Sequence, residues 1–447
     1  MVVHVIGGGL AGSEAAWQLA ERGVEVALSE MRPLRLTAAH KTARFAELVC
    51  SNTFKSTERT NAHGLLKEEM RLLGSLVLPI ADSARVAAGS ALAVDRDVFA
   101  AGVTDRLTSH PRIRIVREEV TELPSPGIIA TGPLTSTALA DAIHARLGAD
   151  ALAFYDAIAP IVSRESVDMS IAFRASRYDK ETSALASEGA YINCPLSRDE
   201  YEAFIDALTS ADQYASQHEF DTTPYFEGCM PVEEMARRGR ESLRFGPMKP
   251  VGLRDPRTGR TPCAVVQLRM EDKGERMWNL VGCQTRLRHG EQQRVLRLIP
   301  ALGSAEFLRY GSMHRNTYLN TPAALTPHLS LRDDRLTMFA GQLTGVEGYT
   351  ESAATGLMAG INMARMLAGD DPVTPPPTTM LGALYRYLQS ADPTDFQPMN
   401  ANFGLIDELD DPPRDRRLKR ERLAQRALAH LLAWRDSEAL AGAPVIS

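Results

Sequence analysis

The sequence predicts an α/β fold: a nucleotide-binding parallel-sheet domain, split by an inserted α+β domain and closed by a helical C-terminal tail. Three observations carry this reading. An apolar run at 2–6 passes directly into Gly7-Gly8-Gly9-Leu10-Ala11-Gly12 and then into a helix with an apolar stripe. A second strand–glycine–helix unit spans 336–367. Between the two, segments shorten and turn signals multiply.

Taken in order, residues 2–6 read as a buried strand and 13–22 as a helix striped by Ala15, Ala16, Leu19 and Ala20. Gly23 closes that helix, and a second strand over 24–28 leads to Glu30. Residues 35–61 are polar and irregular, with Cys50 among them, and 62–78 read as one helix. The run Gly127-Ile128-Ile129-Ala130-Thr131-Gly132 is a short buried strand ending at glycine. From about 155 to 285, Asn193-Cys194-Pro195, Phe245-Gly246-Pro247 and Asp255-Pro256 mark turns around a strand-like run at 263–270. A strand at 336–340, a glycine-rich turn at 341–348 and a helix over 351–367 restore the α/β character. Pro372 to Pro377 stiffens the chain before a helical tail that runs to about 441. The expected division is 1–155 and 286–370 for the nucleotide domain, 156–285 for the insert and 371–447 for the tail.

Composition bounds the function classes. With 447 residues, 44% apolar and 24% charged, the chain is long enough for a large core and is not of disordered or fibrous type. No stretch approaches the ~20 apolar residues of a bilayer span, so no membrane role is expected. The first residues carry no basic segment, so no secretory leader is expected. Five cysteines, widely spaced and without Cys-x-x-Cys, argue against disulfides and a metal site and for a reducing cytoplasm. The net charge of −6 would not by itself suggest a nucleic-acid partner.

The glycines have a specific chemistry. In Gly7-x-Gly9-x-x-Gly12, Gly7 permits the tight turn, Gly9 lets the backbone approach a pyrophosphate, and Gly12 lets helix and strand pack closely. The unpaired N–H groups of the helix then face the phosphates, and Glu30 ends the next strand where ribose hydroxyls would lie. A fingerprint at the N-terminus paired with a late strand–Gly–helix unit is the layout of FAD proteins. Gly341, Gln342 and Gly348 form that late unit, and Thr131 and Gly132 the middle motif. The fold expected is therefore a Rossmann-type FAD-binding domain, with NADH or NADPH as a transient reductant.

Four stretches carry a family resemblance: Phe45-Ala46-Glu47-Leu48-Val49-Cys50-Ser51-Asn52, Tyr225-Phe226-Glu227-Gly228-Cys229-Met230-Pro231, Tyr310-Gly311-Ser312-Met313-His314-Arg315-Asn316-Thr317, and Gly341-Gln342-Leu343-Thr344-Gly345-Val346-Glu347-Gly348-Tyr349. Together, over residues 2 to about 370, the chain resembles the folate- and FAD-dependent tRNA uracil-5-methyltransferases (the TrmFO family), relatives of the MnmG-type flavoproteins. The resemblance implies methylation of the uridine at position 54 of the tRNA T-loop. Carbon comes from 5,10-methylenetetrahydrofolate and reducing equivalents from NAD(P)H through FAD, with no obligatory protein partner. Cys283 stands where an aromatic residue is expected. Alternative readings are an MnmG-like wobble-uridine modifier and a flavin-containing RNA-binding protein without chemistry.

Uracil carbon 5 is a poor nucleophile until a thiolate adds to carbon 6, and the carbon-5 proton must later leave to a base. Cys50 and Cys229 lie in the family's segments. Lys41, Arg44 and Lys55 near Cys50, and a helix expected at 232–239 after Cys229, would favour thiolate. Cys50 is expected as nucleophile and Cys229 as base or acid, the reverse assignment staying open. Cys194, Cys263 and Cys283 are expected as bystanders. By resemblance, Arg286, His314, Arg315, Asn316 and Tyr349 form the folate pocket.

Charge is unevenly spread. Residues 237–260 hold eight basic residues against Glu241 and Asp255, and 414–426 hold seven against Asp415 and Glu421. Such runs are usually solvated faces, but the first adjoins the Cys229 segment. Arg237, Arg238, Arg254 and Arg257 are therefore expected to meet tRNA phosphates.

Overall fold

A computed structural model describes residues 1–37, 39–148, 151–179, 189–214, 230–272, 274–394 and 396–440. Cys229, expected to be catalytic, lies outside the described residues.

Five strands form a parallel sheet in the order 337–339, 127–129, 2–6, 25–29, 113–116. Val3, Val5, Ile128, Ile129, Met338 and Phe339 are fully buried, as strands covered on both faces require. The helices Leu10–Glu21 and Tyr349–Ala368 pack against each other beside it. Because the strands are parallel, 2–6, 127–129 and 337–339 all end at one edge. The three glycine motifs start there, as ligand sites in such sheets do.

The helix expected over 62–78 is instead two, Ala62–Leu72 and Val77–Ser83. Gly74, at φ +78, breaks it. Glu14 rather than any nearby side chain accepts from the N–H groups of Leu76 and Val77, at 3.0 Å each. The late helix begins at Tyr349, two residues before the expected start.

The chain leaves this domain on Ala151–Ile158 and returns on Ser312–Leu319, which pair antiparallel as a two-stranded connection. Beyond it lies a six-stranded antiparallel sheet in the order 173–175, 191–196, 264–270, 277–280, 161–163, 307–309. Helix Arg198–Ser210, opened by a Ser197/Glu200 capping box, covers it. The sheet and its core reach Arg309, past the boundary expected at 285, because 307–309 folds back onto 161–163.

The tail is helical in two pieces. Met380–Ser390 and Arg416–Ser437 are separated by a loop whose Phe396 is buried, and Met399 bridges back to Val346. Tyr385 and Leu388 are buried in the first core, so this segment belongs to the nucleotide domain's packing. No described helix is long and apolar enough to cross a membrane.

Candidate nucleotide and thiol site

Gly7 sits at φ +99, and Gly12 packs so closely that a β-carbon there would lie 1.8 Å from the Gly7 carbonyl oxygen. Gly9 caps the Leu10–Glu21 helix without any side-chain hydrogen bond. The first-turn N–H groups of Leu10, Ala11 and Gly12 therefore point to the sheet edge without intrahelical acceptors. A β-carbon on Gly9 would meet nothing within 4 Å, and the Ser13 hydroxyl in the same turn is buried without a partner. Open space, free N–H groups and an orphaned hydroxyl fit a dinucleotide pyrophosphate.

Beside this turn lies a cleft lined by Gly7, Gly9, Glu30, Arg32, Thr131 and Leu139 among others. Glu30 forms its wall, and its two oxygens already accept from Gly8 N–H (2.9 Å) and from Arg32 N–H, Nε and Nη2 (3.0 Å each). Burial pushes the Glu30 carboxyl up, but the Arg32 guanidinium and these N–H groups bring it below the usual range. Any sugar hydroxyl donating to Glu30 would share an oxygen with Arg32.

The loop 41–52 is tied residue by residue to this turn. Phe45 packs against Gly8, and Ala46 N–H donates to the Gly8 carbonyl at 2.8 Å. Glu47 accepts from Arg32 (3.0 Å) and from the Thr42 hydroxyl (2.7 Å). The Cys50 and Ser51 N–H groups donate to the Tyr349 hydroxyl at 2.8 and 3.0 Å. Asn52, fully buried, donates to Val94 and Met270 carbonyls and accepts from Arg269 Nε at 2.9 Å, fastening the loop to the inserted sheet. Cys50 is thus a half-buried thiol on a loop held from both domains.

Gly348, at φ +123, opens the Tyr349–Ala368 helix without a side-chain cap. Gly341 N–H donates to the Thr355 hydroxyl at 2.7 Å, and Gln342 donates to Glu347 at 2.5 Å. Tyr349 links this second open helix end to Cys50, and burial pushes its hydroxyl well above the usual range. Glu351 accepts from His63 Nδ1 and Ala401 N–H at 3.0 Å. Burial alone would raise the Glu351 carboxyl, but Lys55 and His63 bring it down to about 2. Lys67, buried and donating to the Phe54 and His63 carbonyls, is lowered to about 7 by burial.

Of the expected folate group, the side chains of Tyr349 and Arg286 are described. Tyr349 serves the Cys50 loop, whereas Arg286 is bound by Glu233, Glu234 and Gln213 within the insert. His314, Arg315 and Asn316 lie on the returning strand opposite Asp156, Tyr155 and Phe154, and their side chains fall outside the described ones. Cys194 and Cys283 are buried, and burial pushes the Cys283 thiol up to about 12.

The basic run at 237–260 is less positive than its sequence. Arg237 pairs with Glu234, Arg240 with Glu202 and Asp206, Arg244 with Glu241, and Arg257 with Asp255. Arg238 and Arg254 are exposed with no ion-pair partner among the described residues. Arg96 and Arg309, which hold the Cys50 carbonyl, and Glu271, which pairs with Arg96, were not found from sequence. Only their long-range pairing reveals them.

Residues 2–371 match the family described as "Glucose inhibited division protein A". A Geobacter sulfurreducens protein named methylenetetrahydrofolate–tRNA-(uracil-5-)-methyltransferase TrmFO is 56% identical, over 97% of this chain and 98% of its own. A protein of the same name from Anoxybacillus flavithermus is 55% identical, over 96% and 98%. Among solved structures, Aquifex aeolicus GidA superposes with a TM-score of 0.66 at 16% identity, covering 98% of this chain and 75% of that one. That likeness shows the fold.

Proposed function

The chain belongs to the glucose inhibited division protein A family and, within it, to the methylenetetrahydrofolate–tRNA-(uracil-5-)-methyltransferases, and we propose that it methylates carbon 5 of the uridine at position 54 in the tRNA T-loop. It is a folate- and FAD-dependent enzyme acting on tRNA, with NADH or NADPH as the proposed source of electrons. Bound FAD supplies the reducing equivalents that turn the folate-derived one-carbon unit into a methyl group. The N-terminal turn, Glu30, Thr131-Gly132 and the 341–348 turn would hold it.

One observation carries the reading: Cys50, on a loop bonded to the fingerprint turn through Ala46, is also bonded to the second open helix end through Tyr349. These bonds support placing the Cys50 backbone between the two turns proposed to hold the dinucleotide. In the mechanism we propose, the Cys50 thiolate adds to carbon 6 of the target uracil, which makes carbon 5 nucleophilic toward the one-carbon unit. Cys229 then takes the carbon-5 proton, and elimination of Cys50 restores the ring. Arg96 and Arg309 hold the Cys50 carbonyl, keeping the thiol's backbone in place. Arg286, His314, Arg315, Asn316 and Tyr349 are proposed to receive the folate. Arg237, Arg238, Arg254 and Arg257 are proposed to meet tRNA phosphates in a cytoplasmic setting.

The test is tritium release from tRNA labelled at uracil carbon 5. Release that needs methylenetetrahydrofolate and FAD supports the reading, and a protein that binds tRNA without release refutes it.

A further inference from the structure

A second cleft, open to solvent, lies between the 39–49 loop, the start of the Arg96–Ser109 helix and the inserted sheet. Lys41, Glu47, Arg96, Glu271, Leu308 and Arg309 line it, with others. Arg96 Nε donates to Glu271 Oε2 at 2.6 Å, and Arg96 Nη1 donates to the Leu48 carbonyl at 2.6 Å. Arg96 and Arg309 each donate through Nη2 to the Cys50 carbonyl at 3.4 Å. Two atoms in this cluster are left over. Glu271 Oε1, on a side chain 1% exposed, and Arg309 Nε are both buried without a hydrogen-bond partner. Native proteins rarely leave such atoms unpaired, and a carboxylate oxygen can only accept where a guanidinium N–H can only donate.

We propose that these two atoms read the imide edge of the target uracil once it has been flipped out of its RNA. The inference rests on the function proposed above. Uracil presents an N3–H donor between two carbonyl oxygens, so N3–H would donate to Glu271 Oε1 and the C4 carbonyl would accept from Arg309 Nε, both side chains turning toward the cleft that they line. Cytosine sets an acceptor at N3 and a donor at its amino group, placing like against like at both contacts. The arginines that flank the base also hold the Cys50 carbonyl, so a base seated here lies beside the residue proposed to attack it. A base must leave the stack to show this edge to protein, which this reading requires of the substrate.

The test uses the full-length, FAD-loaded protein and T-arm hairpin RNAs carrying uridine, cytidine or N3-methyluridine at the target, with affinity read by fluorescence anisotropy. The wild type is expected to bind the uridine hairpin about tenfold more tightly than the other two, as one bidentate base contact gives. Glu271→Gln keeps an oxygen for Arg96 but offers an amide donor, so the uridine-to-cytidine and uridine-to-N3-methyluridine ratios should fall toward one. Arg309→Lys keeps the cation and removes the Nε–H, and should lower the uridine-to-cytidine ratio; it decides the matter if Glu271→Gln does not fold. Equal weakening of all three hairpins, with the wild-type ratios kept, would overturn the proposal in favour of a purely structural role. A wild type that methylates tRNA yet binds the three hairpins alike overturns the base-reading pair alone. One that neither binds the hairpins nor methylates tRNA overturns the function on which it rests.

Discussion

Tyr349 and Cys50 are 299 positions apart in sequence, yet the Tyr349 hydroxyl accepts the Cys50 N–H at 2.8 Å. It accepts the Ser51 N–H as well, at 3.0 Å. One phenol oxygen thus sets the backbone of the candidate nucleophile against the helix that opens at Gly348.

Tyr349→Phe removes that acceptor while keeping the ring that leans on Phe54, 5.8 Å away between centroids. Two N–H groups then lose their partner, at a cost of about 1–3 kcal/mol. A lower melting temperature is expected, with kcat reduced about tenfold or more. Flavin content, read from absorbance, should stay unchanged. An unaltered kcat would show that the loop is held without this contact.

The roles of the two cysteines separate with 5-fluorouracil-substituted tRNA. The fluorine blocks loss from carbon 5, so the thiol adduct accumulates. Cys229→Ala should form the covalent complex on a denaturing gel and Cys50→Ala should not. The opposite pattern would exchange the roles and leave the enzyme class standing.

Glu69 is buried on the Ala62–Leu72 helix and accepts the N–H groups of Met380 and Leu381 at 2.8 Å. Burial raises its carboxyl from 4.5 to about 7 against those two bonds. A carboxyl raised in the folded state favours the protonated form. Its contribution is therefore complete below the unfolded value and is lost as pH rises through about 7. Glu14 has the same sign, also raised to about 7 by burial. Glu69→Gln should flatten the fall in melting temperature between about pH 5 and about pH 8. A variant with the wild-type slope would place the ionisation elsewhere.

The tRNA patch should depend on its unpaired members. Arg237 and Arg257 are engaged by Glu234 and Asp255, so charge reversal of Arg237 with Arg238, or of Arg254 with Arg257, should act mainly through Arg238 and Arg254. Each lost phosphate contact should lower the slope of log affinity against log salt by about one. Unchanged binding at low salt in both double variants would remove this face from the interface.

What was legible in the sequence was local. The turn from Gly7 to Gly12 is legible because the strand, the glycines and the helix are contiguous, and the 341–348 turn is legible for the same reason. The Phe45–Asn52 motif was visible as a pattern, but not why each residue is there: Phe45 and Ala46 meet Gly8, Glu47 meets Arg32, and Asn52 reaches Met270. The break at Gly74 was hidden because the N–H groups of Leu76 and Val77 are satisfied by Glu14, 62 and 63 residues earlier. The pairing of Arg240 with Glu202 and Asp206, from another helix, was hidden in the same way. Pairing over long separations leaves no periodicity to read.

The most direct test of the account is mass spectrometry of undermethylated tRNA after incubation with the protein, methylenetetrahydrofolate and NADH or NADPH. 5-Methyluridine is expected at position 54 of the T-loop, dependent on FAD and abolished in Cys50→Ala. Unmodified uridine there, or a new modification at the wobble position instead, would contradict it.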